Sequence, residues 1–218
     1  MSTPYAYADK QLAGLKKYVS AMFHNAANEM AFDELNVRQA KDFAKRLYAK
    51  LESRNEEMLR SIVEEAYKAG FAEASEEEDD FSGLLETAIV LSLMARYHGV
   101  THYSYNQEVK RKRDRLMEGL LSVDNRHDAQ EILNRAAKLW FNQSRQYADF
   151  AVDDARTRAF ENAGVEYVKW VAEKDDRTCH TCKDLDGQVF AIDAMPEIPQ
   201  HHHCRCWVVP VLDGQMTV

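Results

Sequence analysis

The sequence is poor in glycine and proline, with eight and four of them among its 218 residues. Turns, bulges and barrel corners depend on these residues, so their scarcity disfavours a β-sandwich or barrel and favours long helices. Long apolar runs are also missing. The longest, residues 88–95, is interrupted by Ser92 and is far too short to span a bilayer. We therefore expect no membrane association.

Residues 1–17 lack the basic and then apolar pattern of a secretory signal, so we expect synthesis in the cytoplasm. Cysteine is absent before position 179, and the four cysteines of the chain lie within 28 positions. A secreted disulfide framework would link the whole chain. The clustering therefore indicates a metal site or a local thiol function.

The overall charge is negative, with a formal net charge of −8 at pH 7 and a pI of about 5.5. Such a field disfavours a protein that coats nucleic acid. One segment, residues 110–115, is instead strongly basic, and it is a candidate for salt-dependent contact with DNA phosphates. The alternative is a solvated helix face that pairs with acidic residues such as those at 76–80. The basic residues of this segment are Lys110, Arg111, Lys112, Arg113 and Arg115.

Apolar residues recur at three- and four-residue spacing from about Tyr5 to Gly164, which predicts long helices packed in a bundle. Gly164 is expected to stop the last of them. The predicted helices are a first with Leu12, Leu15, Val19, Met22 and Phe23 on its apolar face, a second from Asn36-Val37 to about Gly70, a third over residues 81–97, and a fourth that begins at a Ser122 or Asp124 cap and ends near Asn162.

After Gly164 the pattern becomes β-branched and aromatic, and it predicts strands near residues 165–171, 188–192 and 206–211, with a turn at Asp186-Gly187. The predicted fold class is α+β, predominantly α. A long-helix bundle body over residues 1–164 is followed by a small C-terminal, three-stranded, Cys/His-rich module over residues 165–218. A module of this size buries little surface, so it needs a cross-link or must dock on the helices.

Two short Cys/His segments in this module have the spacing of a pair of zinc knuckles, 179–182 and 201–206. Thiolates with imidazole favour a closed, structural zinc site over copper or iron. The candidate ligands are Cys179, Cys182, Cys204 and Cys206, with one of His201, His202 and His203 able to replace a cysteine. Disulfides, buried thiols without metal and a catalytic metal are the alternatives. A redox role would need Cys179 at the start of a helix, whereas residues 183–187 are predicted to form a turn.

Sequence signatures of common enzymes are missing. There is no Gly-rich phosphate loop, no serine elbow and no His-Glu-x-x-His segment. A zinc deaminase would need proline before its Cys-x-x-Cys pair, and Thr178 stands there instead. We therefore expect a non-enzymatic protein. The alternative is a metal-dependent His/Cys nuclease that uses one of the histidines at 201–203 as a general base.

Taken in order, the C-terminal segments resemble the signature of phage head-morphogenesis proteins, the family named for the F protein of phage Mu. The resemblance covers about residues 154–211. The segments that carry it are Ala155-Arg156-Thr157, Trp170, Asp176-Arg177-Thr178-Cys179-His180-Thr181-Cys182, Leu185-Asp186-Gly187 and Pro199-Gln200-His201-His202-His203-Cys204-Arg205-Cys206.

This resemblance implies a minor capsid protein at the portal vertex, acting in head assembly, DNA packaging or DNA ejection. It implies that the phage portal protein is a partner, together with viral DNA and other capsid or scaffolding proteins, and that the protein is a virion component of the capsid interior or portal vertex. The family's Cys/His positions fall on Cys179, Cys182, His201, Cys204 and Cys206. A host-directed effector that reuses the same module is a further alternative.

Overall fold

A computed structural model describes residues 3–28, 30, 35–75, 109–201 and 204–212. The predicted fold class is confirmed, since long helices precede a small antiparallel sheet. Among these residues, no helix is long and apolar enough to cross a membrane. The helices are α1 (Ala6–Asn28), α2 (Val37–Ala74), α3 (residues 109–121), α4 (Arg126–Asn162) and α5 (His180–Leu185), and the strands are β1 (Tyr167–Val171), β2 (Val189–Ala191) and β3 (Trp207–Pro210).

The described residues divide into two compact units. The first contains the residues before Lys10, those from Leu59 to Ser75 and those from Gln146 onwards, and it includes the sheet. The second contains the described residues from Lys10 to Met58 and from 109 to Arg145. The division of the chain into a body over residues 1–164 and a module over residues 165–218 stays a prediction.

The start of α2 follows the prediction, because Asn36 caps it. The Asn36 side-chain oxygen accepts the backbone N–H of Gln39 at 3.0 Å, and the Gln39 side chain accepts the N–H of Asn36 at 3.0 Å. This reciprocal pair satisfies two donors that a helix start leaves without partners. The predicted third helix and the acidic connection at residues 76–80 lie outside the described residues.

The predicted end of α2, at about Gly70, is four residues too early, since the helix continues to Ala74. A Cβ atom at Gly70 would lie 3.1 Å from the Cβ of Ala159 and 3.1 Å from the Cα of Arg156. The glycine therefore allows α2 and α4 to approach closely. It has no part in ending the helix.

The fourth predicted helix, α4, is capped by neither of the predicted residues, Ser122 and Asp124, but by Asn125. The side-chain oxygen of Asn125 accepts the N–H of Asp128 at 3.0 Å, whereas the Ser122 hydroxyl donates to the Gly119 carbonyl at the end of α3. At its other end Gly164 has a φ of 78°. Val165 N–H donates to the Phe160 carbonyl at 3.0 Å, which is the Schellman arrangement. Gly164 stops the helix as predicted.

The sheet has the order β2-β1-β3, with both pairings antiparallel. Val168 and Trp170 alternate along β1, and both are completely buried. They point to the face on which Phe160, at the end of α4, also packs. Cys182, Cys204 and Cys206 belong to this same core cluster, and Cys179 packs against it. Four of the candidate ligands therefore lie in or beside the core of the module, whereas His201 is exposed.

A candidate metal centre in the Cys/His module

The first half of the site is the turn from Cys179 to Cys182. Cys179 has an extended backbone and is the N-cap of α5, and its sulfur accepts the backbone N–H of Cys182 at 3.4 Å. The carbonyl of Cys179 accepts the N–H of Lys183 at 3.1 Å. These two bonds close a tight turn that brings both thiols to one side. The prediction that residues 183–187 form a turn is therefore wrong for 183–185, which are helical.

The second half is the segment that leads into β3. Cys204 N–H donates to the carbonyl of His201 at 3.1 Å, which closes another short turn. Cys204 and Cys206 are both buried, at 3% and 2% exposure. Residues two positions apart in an extended segment face the same side, and the sulfurs of Cys204 and Cys206 both reach Cys182. Of the three adjacent histidines, only His201 belongs to the described residues.

Five predicted ligand side chains converge in two overlapping triads. Cys179, Cys182 and His201 form one triad, and Cys182, Cys204 and Cys206 form the other, with the ligand atoms of each within 4.8 Å of one another. The Cys182 sulfur lies 3.4 Å from His201 Nε2 and 3.7 Å from the Cys204 sulfur. Sulfur ligands around a tetrahedral zinc ion lie about 3.8 Å apart, given Zn–S distances of about 2.3 Å. The cluster can therefore bind a metal ion.

All four cysteines are free thiols, and their acidities differ widely. Burial raises the pKa of Cys182 to about 12. The thiol of Cys206 donates to the sulfur of Cys204, which lowers the pKa of Cys204 and raises that of Cys206. The N–H of Cys182 lowers the pKa of Cys179. A divalent cation would add the positive charge that holds such thiols as thiolates.

Arg205 stands between two of the candidate ligands and points to a carboxylate. Its guanidinium lies 2.6 Å from Asp175, and this contact, with further hydrogen bonds from Arg177, lowers the pKa of Asp175. Asp186, which lies nearer to Cys182 in the sequence, accepts the backbone N–H of Ala172 at 2.9 Å. Arg205 thus fastens the Cys204–Cys206 segment to the loop that precedes Cys179.

Arg156, from the Ala-Arg-Thr segment, connects three elements beneath the module. It is 4% exposed and binds the carboxylate of Glu73 through two bonds of 2.9 and 2.8 Å. The same guanidinium donates to the carbonyl of Val208 in β3 at 3.2 Å and lies 5.4 Å from the ring centre of Phe160. The resemblance singled out Arg156, but its sequence context gave no sign of its partners.

The sequence did not indicate the role of Tyr5 and Asp153. The Tyr5 hydroxyl lies 2.7 Å from both the Asp153 carboxyl and the Cys206 carbonyl. The Cys206 carbonyl can only accept, so the single proton of the Tyr5 hydroxyl is donated to it. The contact with Asp153 is then a hydrogen bond if the Asp153 carboxyl is protonated and donates to the Tyr5 oxygen. Burial raises the pKa of Asp153, which favours that form. An acidic residue within an apolar stripe of α4 was the only available signal.

The predicted DNA-binding run lies on α3, away from the Cys/His residues in the sequence. Lys110, Arg111 and Arg115 are exposed, whereas Lys112 and Arg113 are half-buried. The Lys112 amine contacts the side-chain oxygen of Gln143, and Arg113 lies 3.8 Å from Asp114. Contact of this run with DNA stays a prediction.

The fold and the site define a mainly helical protein with a small, thiol-rich module at its C-terminal end, whose Cys/His cluster could hold a metal ion. The family model described as Phage Mu protein F like protein matches residues 97–209, which is more than half of the chain and includes α3, α4 and the Cys/His residues. The chain therefore belongs to the Phage Mu protein F-like family, a family of phage head morphogenesis proteins. No curated protein and no solved structure matches it.

Proposed function

We propose that this protein is a minor structural component of the phage head that acts at the portal vertex during head assembly, DNA packaging or ejection. The observation that carries the proposal is the family match over residues 97–209. Its expected partners are the portal protein and other capsid or scaffolding proteins. Its expected location is the capsid interior or the portal vertex.

The Cys/His cluster is proposed to bind a structural zinc ion. The sheet has strands of five, three and four residues, and such a small module gains from a cross-link at its centre. Zinc would join the turn at residues 179–182 to the segment at 201–206, with ligands drawn from Cys179, Cys182, His201, Cys204 and Cys206. A closed thiolate site of this kind supplies folding energy.

The proposed role is non-enzymatic. A metal-dependent nuclease needs an open coordination position with a bound water, whereas three of the five candidate ligands are buried thiols in the core cluster. Contact with viral DNA is proposed for the basic run of α3, through the exposed Lys110, Arg111 and Arg115. Such contact would be independent of sequence and would weaken as salt concentration rises.

A particle-incorporation experiment tests this function. Phage that lacks the gene would be complemented with a tagged copy, and gradient-purified heads would be examined for the tagged protein, DNA content and infectivity. We expect the protein in mature heads, cross-linkable to the portal, and loss of filled or infectious particles without it. Absence from purified heads, together with normal particles in the deletion, would contradict the proposal.

The matched control compares two substitutions in the same short turn and helix. Cys179→Ser is expected to reduce incorporation, because it removes a candidate ligand. His180→Ala changes a side chain that is 91% exposed and pairs only locally with Asp184 at 2.7 Å. It is expected to complement fully. Equal failure of both variants would indicate a general sensitivity of this segment and would contradict a specific role of the cluster.

A further inference from the structure

Five ligand side chains converge where a tetrahedral ion takes four. We infer that Cys179, Cys182, His201 and Cys204 are the ligands and that Cys206 remains a buried thiol outside the coordination sphere. This inference rests on the proposed metal site and names its ligand set. The two overlapping triads both satisfy the distance requirement, so the choice is made by loop spacing, backbone constraint and charge.

Loop spacing favours two equivalent chelating pairs. Cys179 and Cys182 enclose two residues, and so do His201 and Cys204, which is within the spacing of two to four usual for structural zinc. Cys204 and Cys206 enclose only one. Each pair is closed by a hydrogen bond from the backbone N–H of its second residue. The N–H of Cys182 donates to the sulfur of Cys179 at 3.4 Å, and the N–H of Cys204 donates to the carbonyl of His201 at 3.1 Å.

The position of Cys182 supports the same set. Its sulfur lies 3.4 Å from His201 Nε2 and 3.7 Å from the sulfur of Cys204. The edges of a zinc tetrahedron are about 3.5 Å between sulfur and nitrogen and about 3.8 Å between two sulfurs. The Cys182 sulfur therefore already lies at the ligand-to-ligand distance of a zinc site from both His201 and Cys204.

Cys206 is held by other interactions. Its carbonyl accepts the Tyr5 hydroxyl at 2.7 Å, and the next residue, Trp207, pairs with Val171 in the sheet. Its side chain is 2% exposed within the core cluster that includes Val168 and Trp170. The backbone at Cys206 is thus fixed by the sheet and by the N-terminal segment. Cys204 precedes the strand and belongs to the turn that His201 begins.

Charge also favours an imidazole over a fourth thiolate. Zinc with three thiolates and one histidine has a net charge of −1, and with four thiolates it has −2. Residues 165–218 already contain nine acidic and five basic side chains. Arg205, which stands between Cys204 and Cys206, is already bound to Asp175 at 2.6 Å. A second excess negative charge buried in this module would therefore be costly.

The test is spectroscopy of the metal in the full-length protein. Zinc X-ray absorption gives the numbers of sulfur and nitrogen ligands, and Co²⁺ substitution gives charge-transfer bands whose intensity rises with the number of thiolates. We expect three sulfurs and one nitrogen in the wild type. Cys206→Ser should leave this ligand set and the Co²⁺ spectrum unchanged. His201→Cys should raise the sulfur count to four and so supplies a folded reference.

Three outcomes would overturn the ligand set. The first is a wild-type site with four sulfurs. The second is a Cys206→Ser variant that loses a sulfur ligand while His201→Ala retains the wild-type spectrum. The third is a folded chain that takes up neither zinc nor Co²⁺. None of these would contradict a role in the phage head, because that role is tested separately by incorporation into particles.

Discussion

At the scale of single residues, Arg156 shows how one side chain joins elements that are distant in the sequence. It meets Glu73, 83 positions away, and the carbonyl of Val208, 52 positions away. A planar guanidinium can make these bonds at once, because its donors have a fixed fork geometry. A lysine has one nitrogen and no such fork, so the two residues are not interchangeable here.

Arg156→Lys is expected to destabilise the protein by about 2–3 kcal/mol, since it removes charge-assisted hydrogen bonds in a nearly buried place. Arg158→Lys is the matched control. Arg158 is half-exposed and pairs with Glu161 three residues away at 2.8 Å, so its replacement should change stability by less than about 0.5 kcal/mol. Urea denaturation at fixed zinc concentration measures both. Equal effects would contradict the special role of Arg156.

Asp153 predicts a pH dependence whose sign follows from its environment. Burial raises its pKa above the ordinary value of 3.8, although the positive charge of Arg156 acts in the opposite direction. The folded state therefore binds this proton more tightly than the unfolded state. Its contribution to stability is complete below the unfolded pKa and is lost as the pH rises through the folded pKa.

Asp153→Asn keeps a neutral side chain that can donate to Tyr5, so its stability should vary less with pH. We expect the variant to become progressively more stable than the wild type as the pH rises above about 4. Denaturation midpoints across this range would measure the difference. The other groups near Asp153, which are Asp149 and Cys204, are common to both proteins and cancel to first order. Parallel curves would mean that Asp153 is ionised in the folded protein.

At the scale of elements, the sequence predicted the start of α2 and the end of α4, where the signals are local. Asn36 with Gln39, and Gly164 after α4, act through residues a few positions away, so their patterns are visible in the sequence. Gly70 suggested a helix end in the same way, but the helix continues because this glycine serves the close contact between α2 and α4. The three strands and the convergence of the cysteines were also predictable, since alternation and loop spacing determine them.

Gly70→Ala and Gly14→Ala are expected to have opposite effects. Both glycines lie inside helices, where alanine usually adds about 1 kcal/mol to stability. At Gly14 nothing lies within 4 Å of the new Cβ, so that gain should appear in full. At Gly70 the new atom would meet backbone atoms of Arg156 at 3.1 and 3.3 Å. Backbone cannot move aside cheaply, and overpacking costs about 1–3 kcal/mol.

Thermal denaturation of the two variants beside the wild type gives the measurement. We expect a higher midpoint for Gly14→Ala and a lower midpoint for Gly70→Ala. A stabilised Gly70→Ala variant would show that α2 can move away from α4 without loss. The predicted reason for a glycine at this position would then be wrong.

At the scale of the whole molecule, the contacts that complete the site come from positions far from it in the sequence. Tyr5 reaches the carbonyl of Cys206 across 201 positions, and it meets Asp153 across 148. No local pattern encodes such a contact, because Tyr5 lies in the turn just before α1 and belongs to no distinctive motif. The sequence thus predicted which candidate ligands converge but not which residues support them. This explains why Asp153 and Glu73 were missed.

Removal of the metal should therefore also destabilise the structure near the N-terminus. A structural ion stabilises the folded state in proportion to its binding free energy, so a chelator should lower the thermal midpoint of the full chain. It should also release the Cys204–Cys206 segment from its fixed geometry. Because Tyr5 donates to Cys206, amide hydrogen exchange should then speed up both in residues 204–210 and in the first turn of α1.

Tyr5→Phe tests whether the hydrogen bond from Tyr5 to Cys206 transmits the change, because it removes the hydroxyl and keeps the buried ring. In this variant zinc should still bind, and residues 204–210 should still lose protection on chelation. The first turn of α1 should exchange at one rate with or without zinc. If chelation leaves residues 204–210 as protected as before in the wild type, the cluster does not depend on a metal for its structure. If only the α1 response is missing, the bond from Tyr5 to Cys206 does not transmit the change.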